Sequence, residues 1–439
     1  MLVDFTVENY RSIKEPVTLS AVAQKQSDRQ TSQSSKRKRV KSDHEIAPGY
    51  HVEGWDIELL PVLAIFGANA SGKSNVIQAL DYLLLMMSKG IQEAVTFQKL
   101  FKSAKLDPFR LDMISAQKPT KFELRTLFNN NIYTYSLVIN ENNIISESLD
   151  YALNTTKRTR RLFHRQWDET NKNFIWKTGE HFAGYHNQLQ DNIRENELFF
   201  SILVKLKVDV IESIVRWLKI RWIGINWENP KYDNITLIKS LQGTENSISN
   251  EIIEEVLTIL QKFDTGLSRI DMVKKYDDPN DYNIFAVHNT DDGGSVAWLF
   301  DEESLGTQRL FNLAFRIVVV RKTGGLIIFD ELGTNIHPNI LKRIIEIFQN
   351  PKTNPRSAQL ILTSHDNTLP RNNLLRRDQI WFTQKRSDQS TELYPLTDFH
   401  VRNDLAIDKA YLDGHFGAVP FLPSEEEMIL QDDEQCQES

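Results

Sequence analysis

Apolar and polar residues alternate almost from the first position. "LVDFTVENYRSI" at 2–13 has the period of a strand with one buried face, and "PVTLSAVA" at 16–23 supplies an antiparallel partner. "PVLAIFG" at 61–67 is apolar without interruption and predicts a buried strand; a turn and a helix from about Ser74 to Met87 follow. Between Lys121 and Asn140, "KFELRTLFNNNIYTYSLVIN" predicts two strands joined by an Asn-rich turn, with further strands in "IISESLDYAL" and "RRLFHRQ". From about 187 to 263 the spacing becomes helical, as in "ENELFFSILVKL" and "NEIIEEVLTILQKF". Strand patterns return in "SRIDMVKKY", "YNIFAVHN" and "SVAWLFDEES". After Ser304 the order is helix, strand ("GLIIFDE"), helix, strand ("QLILTSH"), then mixed structure to Pro423, with no internal repeat. Strands alternating with helices at both ends of a long insertion predict an α/β core split in sequence, whose halves meet in space.

Composition narrows this picture only in places. No stretch approaches the ~20 uncharged apolar residues a membrane span needs, and "MLVDFTVENYRS" lacks the layout of a secretory signal. The single cysteine, Cys436, allows neither an internal disulfide nor a Cys-based metal cluster. A cytoplasmic protein without membrane attachment is expected. The net charge of −7 is carried by the tail: Glu425–Ser439 holds seven acids and no Lys or Arg, leaving the remainder formally neutral. Overall charge therefore argues neither for nor against nucleic acid, and DNA stays a possible partner through local patches only. The polar segment 24–46 carries the basic run "KRKRVK" from Lys36 to Lys41 and reads as an exposed loop.

The chemistry concentrates in three places. Gly67-Ala68-Asn69-Ala70-Ser71-Gly72-Lys73-Ser74 matches G-x-x-x-x-G-K-[ST] between a strand and a helix. Glycines let the backbone wrap closely, successive N–H groups and a helix N-terminus face a phosphate, Lys73 places a cation by the β/γ oxygens, and Ser74 offers a hydroxyl to Mg²⁺. Gly67, Asn69, Ala70, Ser71, Gly72, Lys73, Ser74 and Asn75 are thus the candidate nucleotide-binding residues. The apolar strand "GLIIFDEL" ends in Asp330-Glu331, the pattern of a metal-holding carboxylate followed by a general base. Around it, "EESLGTQRLFNLAFRI" puts Ser304 and Gly306 at a helix start, and "QLILTS" ends in His365. No Asn-Lys-x-Asp guanine reader occurs.

In this order, phosphate loop, Ser-x-Gly helix start, Asp-Glu strand and His-ended strand, the chain resembles an ABC-type ATPase head of the SMC and OLD kind. "PFRLD", "ESLGTQRL", "QLILTSHD", "RRDQIWF" and "YLDGHFGAVP" narrow the resemblance to OLD-like ATPases of bacterial abortive-infection (anti-phage) systems, of the RloA/AbiL and PARIS-ATPase type. The resemblance implies an α/β fold, a P-loop NTPase core of mixed sheet plus an antiparallel β subdomain, with a helical insertion. It implies residues 1–140 as the first half of the head, 141–290 as a β/helical insertion, 291–423 as the second half and 424–439 as an acidic tail. Two heads would sandwich ATP and Mg²⁺, in a homodimer or larger homo-oligomer. Ser304 and Gly306 would cap the γ-phosphate bound by the other copy, Asp330 and Ser74 would order Mg²⁺, Glu331 would activate water, and His365 would sense the γ-phosphate. Arg11, in "ENYRSI", would reach towards the nucleotide, and "GTNIHP" at 333–338 matches a dimer-contacting loop with Thr334 and Asn335 departing from the usual residues. The corresponding loop glutamine is not identified among Gln78, Gln92, Gln98 and Gln117. The resemblance further implies slow hydrolysis, a phage-derived trigger and a toxic effector partner, a TOPRIM-type nuclease on a separate chain, since too little sequence follows His365 for a fused one. The alternative is an SMC/RecF-like DNA-repair or DNA-organising ATPase that binds DNA directly; the absence of a long heptad run counts against it.

Overall fold

The period-two segments pair as their alternation requires. β1 (Leu2–Glu8) and β2 (Val17–Ser20) form an antiparallel pair, and β1 continues into a seven-stranded antiparallel sheet. Two short strands, β3 (Tyr50–His51) and β4 (Glu58–Leu59), pair separately. They lead into β5 (Val62–Gly67) and α1 (Lys73–Lys89). The large sheet is completed by β6 (Thr120–Phe128), β7 (Asn131–Asn140), β8 (Asn143–Ala152), β9 (Thr159–Asp168) and β10 (Asn173–Thr178), in the order β10-β9-β8-β7-β6-β1-β2. Asn129 and Asn130 make the β6–β7 turn with φ of 46° and 60°, the left-handed pair that a tight hairpin requires. Strand pairing thus runs without interruption across residue 140, from β7 to β8. This computed structural model describes residues 1–24, 49–94, 106–141, 143–182, 189–190, 193–219, 222–223, 246–263, 265–274, 282–332, 336–365, 369–370, 374–399, 401 and 405–420. The basic run Lys36–Lys41, Gln98, Thr334, Asn335 and the acidic tail 424–439 lie outside the described residues.

Three described helices follow the large sheet: α2 (Phe199–Lys205), α3 (Glu212–Lys219) and α4 (Asn246–Lys262). The stretch expected to be helical also contains β11 (Trp222–Ile223), which pairs in parallel with a strand a hundred residues on. Two residues are too few to carry a period. β12 (Arg269–Lys274), β13 (Tyr282–Asn289) and β14 (Ser295–Leu299) form a small antiparallel sheet. Then come α5 (Leu305–Thr323), β15 (Leu326–Phe329), α6 (Pro338–Gln349), β16 (Gln359–Thr363), β17 (Ile380–Lys385), β18 (Thr391–Pro395) and α7 (Ile407–Leu412).

The core sheet has the order β11-β15-β16-β5-β17-β18, parallel except for β18. Every residue of β5, β15 and β16 is buried, as expected of parallel strands covered on both faces. Successive residues serve opposite cores. Leu63, Ile65, Ile328 and Ile361 pack with α1, α2, α3 and the large antiparallel sheet. Val62, Ala64, Phe329 and Leu362 pack with α4, α5, α6 and α7. The buried amide of Gln359 joins the two sheets: its oxygen accepts from Leu2 N (2.5 Å), and its nitrogen donates to Leu2 O (3.0 Å) and Leu60 O (3.1 Å).

Among the described residues one ion pair is fully enclosed. Glu147 on β8 and Arg165 on β9 both have side chains at 0% exposure. Glu147 also accepts from Tyr135 Oη and from Phe199 N and Phe200 N, each at 2.9 Å, and so holds the start of α2 against the sheet. Arg165 lies 4.4 Å from the Phe174 ring centroid and donates to Glu197 O. Burial pushes the Tyr135 hydroxyl well above the ordinary tyrosine range, and the neighbouring Glu147 carboxylate adds to the shift.

Candidate nucleotide-binding site

β5 ends at Gly67 and α1 begins at Lys73, so the loop between them sits on the C-terminal edge of the core sheet, where open α/β sheets bind ligands. Asn69 and Ala70 form its exposed tip, whereas Ser71, Gly72 and Lys73 are buried. Gly72 has φ of 107°, and a Cβ there would lie 2.0 Å from Thr391 Oγ1, so only glycine fits. Neighbouring strands mould the loop. Ser71 Oγ is 2.6 Å from Thr383 Oγ1, and Thr391 Oγ1 donates to Ser71 O at 3.0 Å. Ser12 Oγ lies 2.7 Å from Thr391 Oγ1 and accepts from Asn75 Nδ2 at 2.6 Å. Lys73 Nζ donates to Gly67 O and Ala68 O, both at 2.9 Å. Burial lowers the Lys73 pKa from the usual lysine range, against the pull of the Glu331 and Asp330 carboxylates. Asn75 N and Val76 N donate to Gly72 O (3.0 and 3.2 Å), and the N–H groups of Lys73 and Ser74 ahead of them lie at the positive end of the helix dipole. A buried cation beside such a turn is an anion cradle.

The carboxylates arrive on the same edge because β15, β16 and β5 are adjacent and parallel. Ser74 Oγ donates to Asp330 Oδ1 at 3.1 Å, bringing together residues from opposite halves of the chain. Thr363 Oγ1 donates to the same Oδ1 at 2.6 Å and accepts from Glu331 N at 2.7 Å. One hydroxyl thereby fixes both acidic residues, and it holds Glu331 at a left-handed φ of 56°. His365 Nε2 lies 3.5 Å from Glu331 Oε1, with both side chains on the exposed lip. Thr363→Val keeps the shape but removes the hydroxyl that accepts from Glu331 N and donates to Asp330; it is expected to cost about 1–3 kcal/mol, read as a lower urea midpoint. An unchanged midpoint would refute the bridging role.

Among the described residues no three His, Cys, Asp or Glu side chains gather as a metal cage. The hydroxyl of Ser74 and the carboxylate of Asp330 are nonetheless two hard oxygens side by side. That donor set fits Mg²⁺, which takes one or two protein oxygens and completes its shell with phosphate and water.

Other expected residues lie apart. Ser304 caps α5, its Oγ accepting from Thr307 N at 3.1 Å, and the described hydrogen bonds of that Oγ stay within its own turn. Ser304, Leu305 and Gly306 are all exposed. Arg11, at φ of 51°, donates its N–H to Asp107 O at 2.7 Å and its guanidinium to the Gln78 side chain on α1, one turn beyond Ser74. His337 accepts from Asn339 N and opens α6, with Pro338 in the first turn. Ser12, Thr363, Thr383 and Thr391 escaped the sequence reading. Only Thr363 left a signal, as a polar residue at the end of an apolar run.

A protein-family profile described as "AAA domain, putative AbiEii toxin, Type IV TA system" matches residues 62–370, which span the phosphate loop, both carboxylates and His365. The chain belongs to this family. The architecture of this AAA-family protein is α/β: a P-loop core of mixed sheet, an antiparallel β subdomain and a helical insertion. Solved structures similar to this AAA protein include an Smc head bound to the C-terminal winged-helix domain of ScpA (14% identity, 94% of this chain and 99% of that one, TM-score 0.46). Others are an SMC head domain from Thermotoga maritima (10%, 90% and 98%, TM-score 0.41) and an Smc head with coiled coil and joint from Pyrococcus yayanosii (11%, 94% and 99%, TM-score 0.42). No curated protein matches the chain. Among the described residues no helix is long and apolar enough to cross a membrane.

Proposed function

We propose that the protein is a slow ATPase that works as an ATP-gated switch: two copies close around nucleotide, and hydrolysis opens them. The observation that carries this reading is the Ser74–Asp330–Thr363–Glu331 chain of hydrogen bonds beneath the phosphate loop. It gathers a metal-binding pair and a candidate base beside the Lys73 ammonium. In this reading Gly67, Asn69, Ala70, Ser71, Gly72 and Asn75 line the phosphates, and Lys73 neutralises the β/γ oxygens. Ser74 and Asp330 hold Mg²⁺, which supplies charge neutralisation of the transferring phosphoryl group. Glu331 takes the proton of the attacking water as the bond to the γ-phosphorus forms and that to the bridging oxygen breaks. His365, against Glu331, senses the γ-phosphate, and Arg11 sits towards the nucleotide.

The second half of the proposal concerns assembly. Ser304 and Gly306 lie on an exposed helix start whose Oγ bonds only within its own turn among the described contacts, which suits a group that completes the pocket of another copy. Closed and open states then differ in affinity for a partner, the only means by which a ligand shifts such an equilibrium. The family's description speaks of a toxin system, and we extend it to a toxic effector, a TOPRIM-type nuclease, released in response to a phage product in the cytoplasm. Ser304→Arg tests the shared pocket. Single-copy nucleotide binding should stay within about twofold while ATP-dependent self-association weakens at least about tenfold, or about 1.4 kcal/mol, by light scattering. Unchanged association would remove the shared pocket, and DNA-stimulated turnover would favour the DNA-organising alternative.

A further inference from the structure

The residue before Ser304 is held in an unusual way. A single oxygen of Glu303, Oε1, accepts from Trp298 Nε1 at 2.8 Å and lies 2.6 Å from His288 Nε2. His288 and Trp298 are diagonal neighbours on β13 and β14, and their rings stack at 4.4 Å with 15° between planes. The Glu303 side chain is only 8% exposed, although the three residues after it are all exposed. On the other side of the turn, Gln308 Nε2 donates to Asp301 O (3.0 Å) and Glu303 O (2.9 Å). The turn is therefore gripped through its carbonyls by α5 and through one carboxylate by a separate three-stranded sheet.

Such a grip is more than a loop needs to stay folded. The helix start already has its cap in Ser304, and Glu303 N reaches Phe300 O at 3.2 Å. The additional carboxylate bonds set the direction in which Ser304, Leu305 and Gly306 project. A site works only if its contacting groups are held near the productive geometry by supports behind them.

We infer that Glu303, held by His288 and Trp298, is a positioning residue that aims Ser304 and Gly306 at nucleotide on a second copy of the chain. This rests on the shared pocket proposed above. It assigns the β12–β14 sheet the task of presenting the turn, so that a shift of that sheet reaches the pocket through one carboxylate.

The test uses the full chain with ATP and Mg²⁺. Glu303→Ala is expected to lower kcat about tenfold with KM for ATP within about twofold, the split of an interaction made after binding. Mixing it with an equal amount of Lys73→Ala should restore turnover to about a quarter of the parental rate, because random pairing leaves one intact pocket in half the dimers. Each partner supplies what the other lacks; a merely structural defect gives no such recovery. Ser304→Arg mixed with Lys73→Ala is the control. If that control recovers and the Glu303 mixture does not, the positioning role is wrong while the shared pocket stands. If neither recovers, the shared pocket falls and the positioning role with it. Parental turnover by Glu303→Ala alone also overturns it. Should that variant fail to fold, Trp298→Phe decides, since it keeps the ring but removes the donor. A severalfold lower kcat at an unchanged melting midpoint supports the role, and a parental kcat refutes it.

Discussion

Replacing Glu331 with glutamine is expected to lower ATP turnover by about 10²–10³-fold while nucleotide still binds, the loss typical of a missing general base. The amide has the size of the carboxylate, and the backbone anchor is unaffected, because Glu331 N bonds to Thr363 Oγ1 whatever the side chain. Asp330 keeps its bonds from Ser74 and Thr363, so the metal-binding pair survives. What disappears is the group that takes the proton of water. Closed assemblies should then accumulate in ATP, visible as a persistent larger species in light scattering, while phosphate release nearly stops. Turnover at the parental rate would show that another group is the base and would remove Glu331 from the mechanism.

The largest stability effect is expected far from the nucleotide. Glu147→Ala should destabilise the fold by about 3–5 kcal/mol, because it leaves a guanidinium enclosed without its counter-charge. Among the described contacts, Arg165 would retain Glu197 O and the faces of Phe174 and Trp176. The mutation also strips the N–H groups of Phe199 and Phe200 of their acceptor. Arg165→Met should cost less, since Glu147 keeps three neutral donors. The double variant should fall short of the sum, the signature of coupled neighbours. Urea midpoints of the three variants read the order directly. Equal losses from both single variants would mean that the pair acts only as packing volume.

The contrast between these regions explains what the sequence made legible. The phosphate loop is contiguous, and its strand, glycines, lysine and helix are specified within a dozen residues. Asp330 and Glu331 were recognisable because an apolar strand ends on them, and the Asn129-Asn130 turn because only a few residue types accept its backbone. The threonines behind the loop were not. Thr383 and Thr391 reach it because β17 lies beside β5 and β18 beside β17, a pairing no local pattern encodes. The burial of Glu147 left no local signal either. In "IISESLDYAL" the acid would ordinarily face water, yet it shares the buried face with Leu149 and Tyr151. β10 was missed because "NFIWKT" has no clean apolar–polar alternation: Ile175 is exposed, while Phe174 and Trp176, only partly covered, lie against Arg165.

The position of β5 in the core sheet bears on how the polypeptide is made. It is flanked by β16 and β17, and 299 residues separate Leu60 from the Gln359 amide that anchors it. On the ribosome, the strand carrying the phosphate loop waits without either neighbour until β16 and β17 emerge. Closing so distant a contact is slow. A nascent chain therefore has no finished pocket to load, and nucleotide can first be captured only after β16 and β17 have followed β5 out of the ribosome.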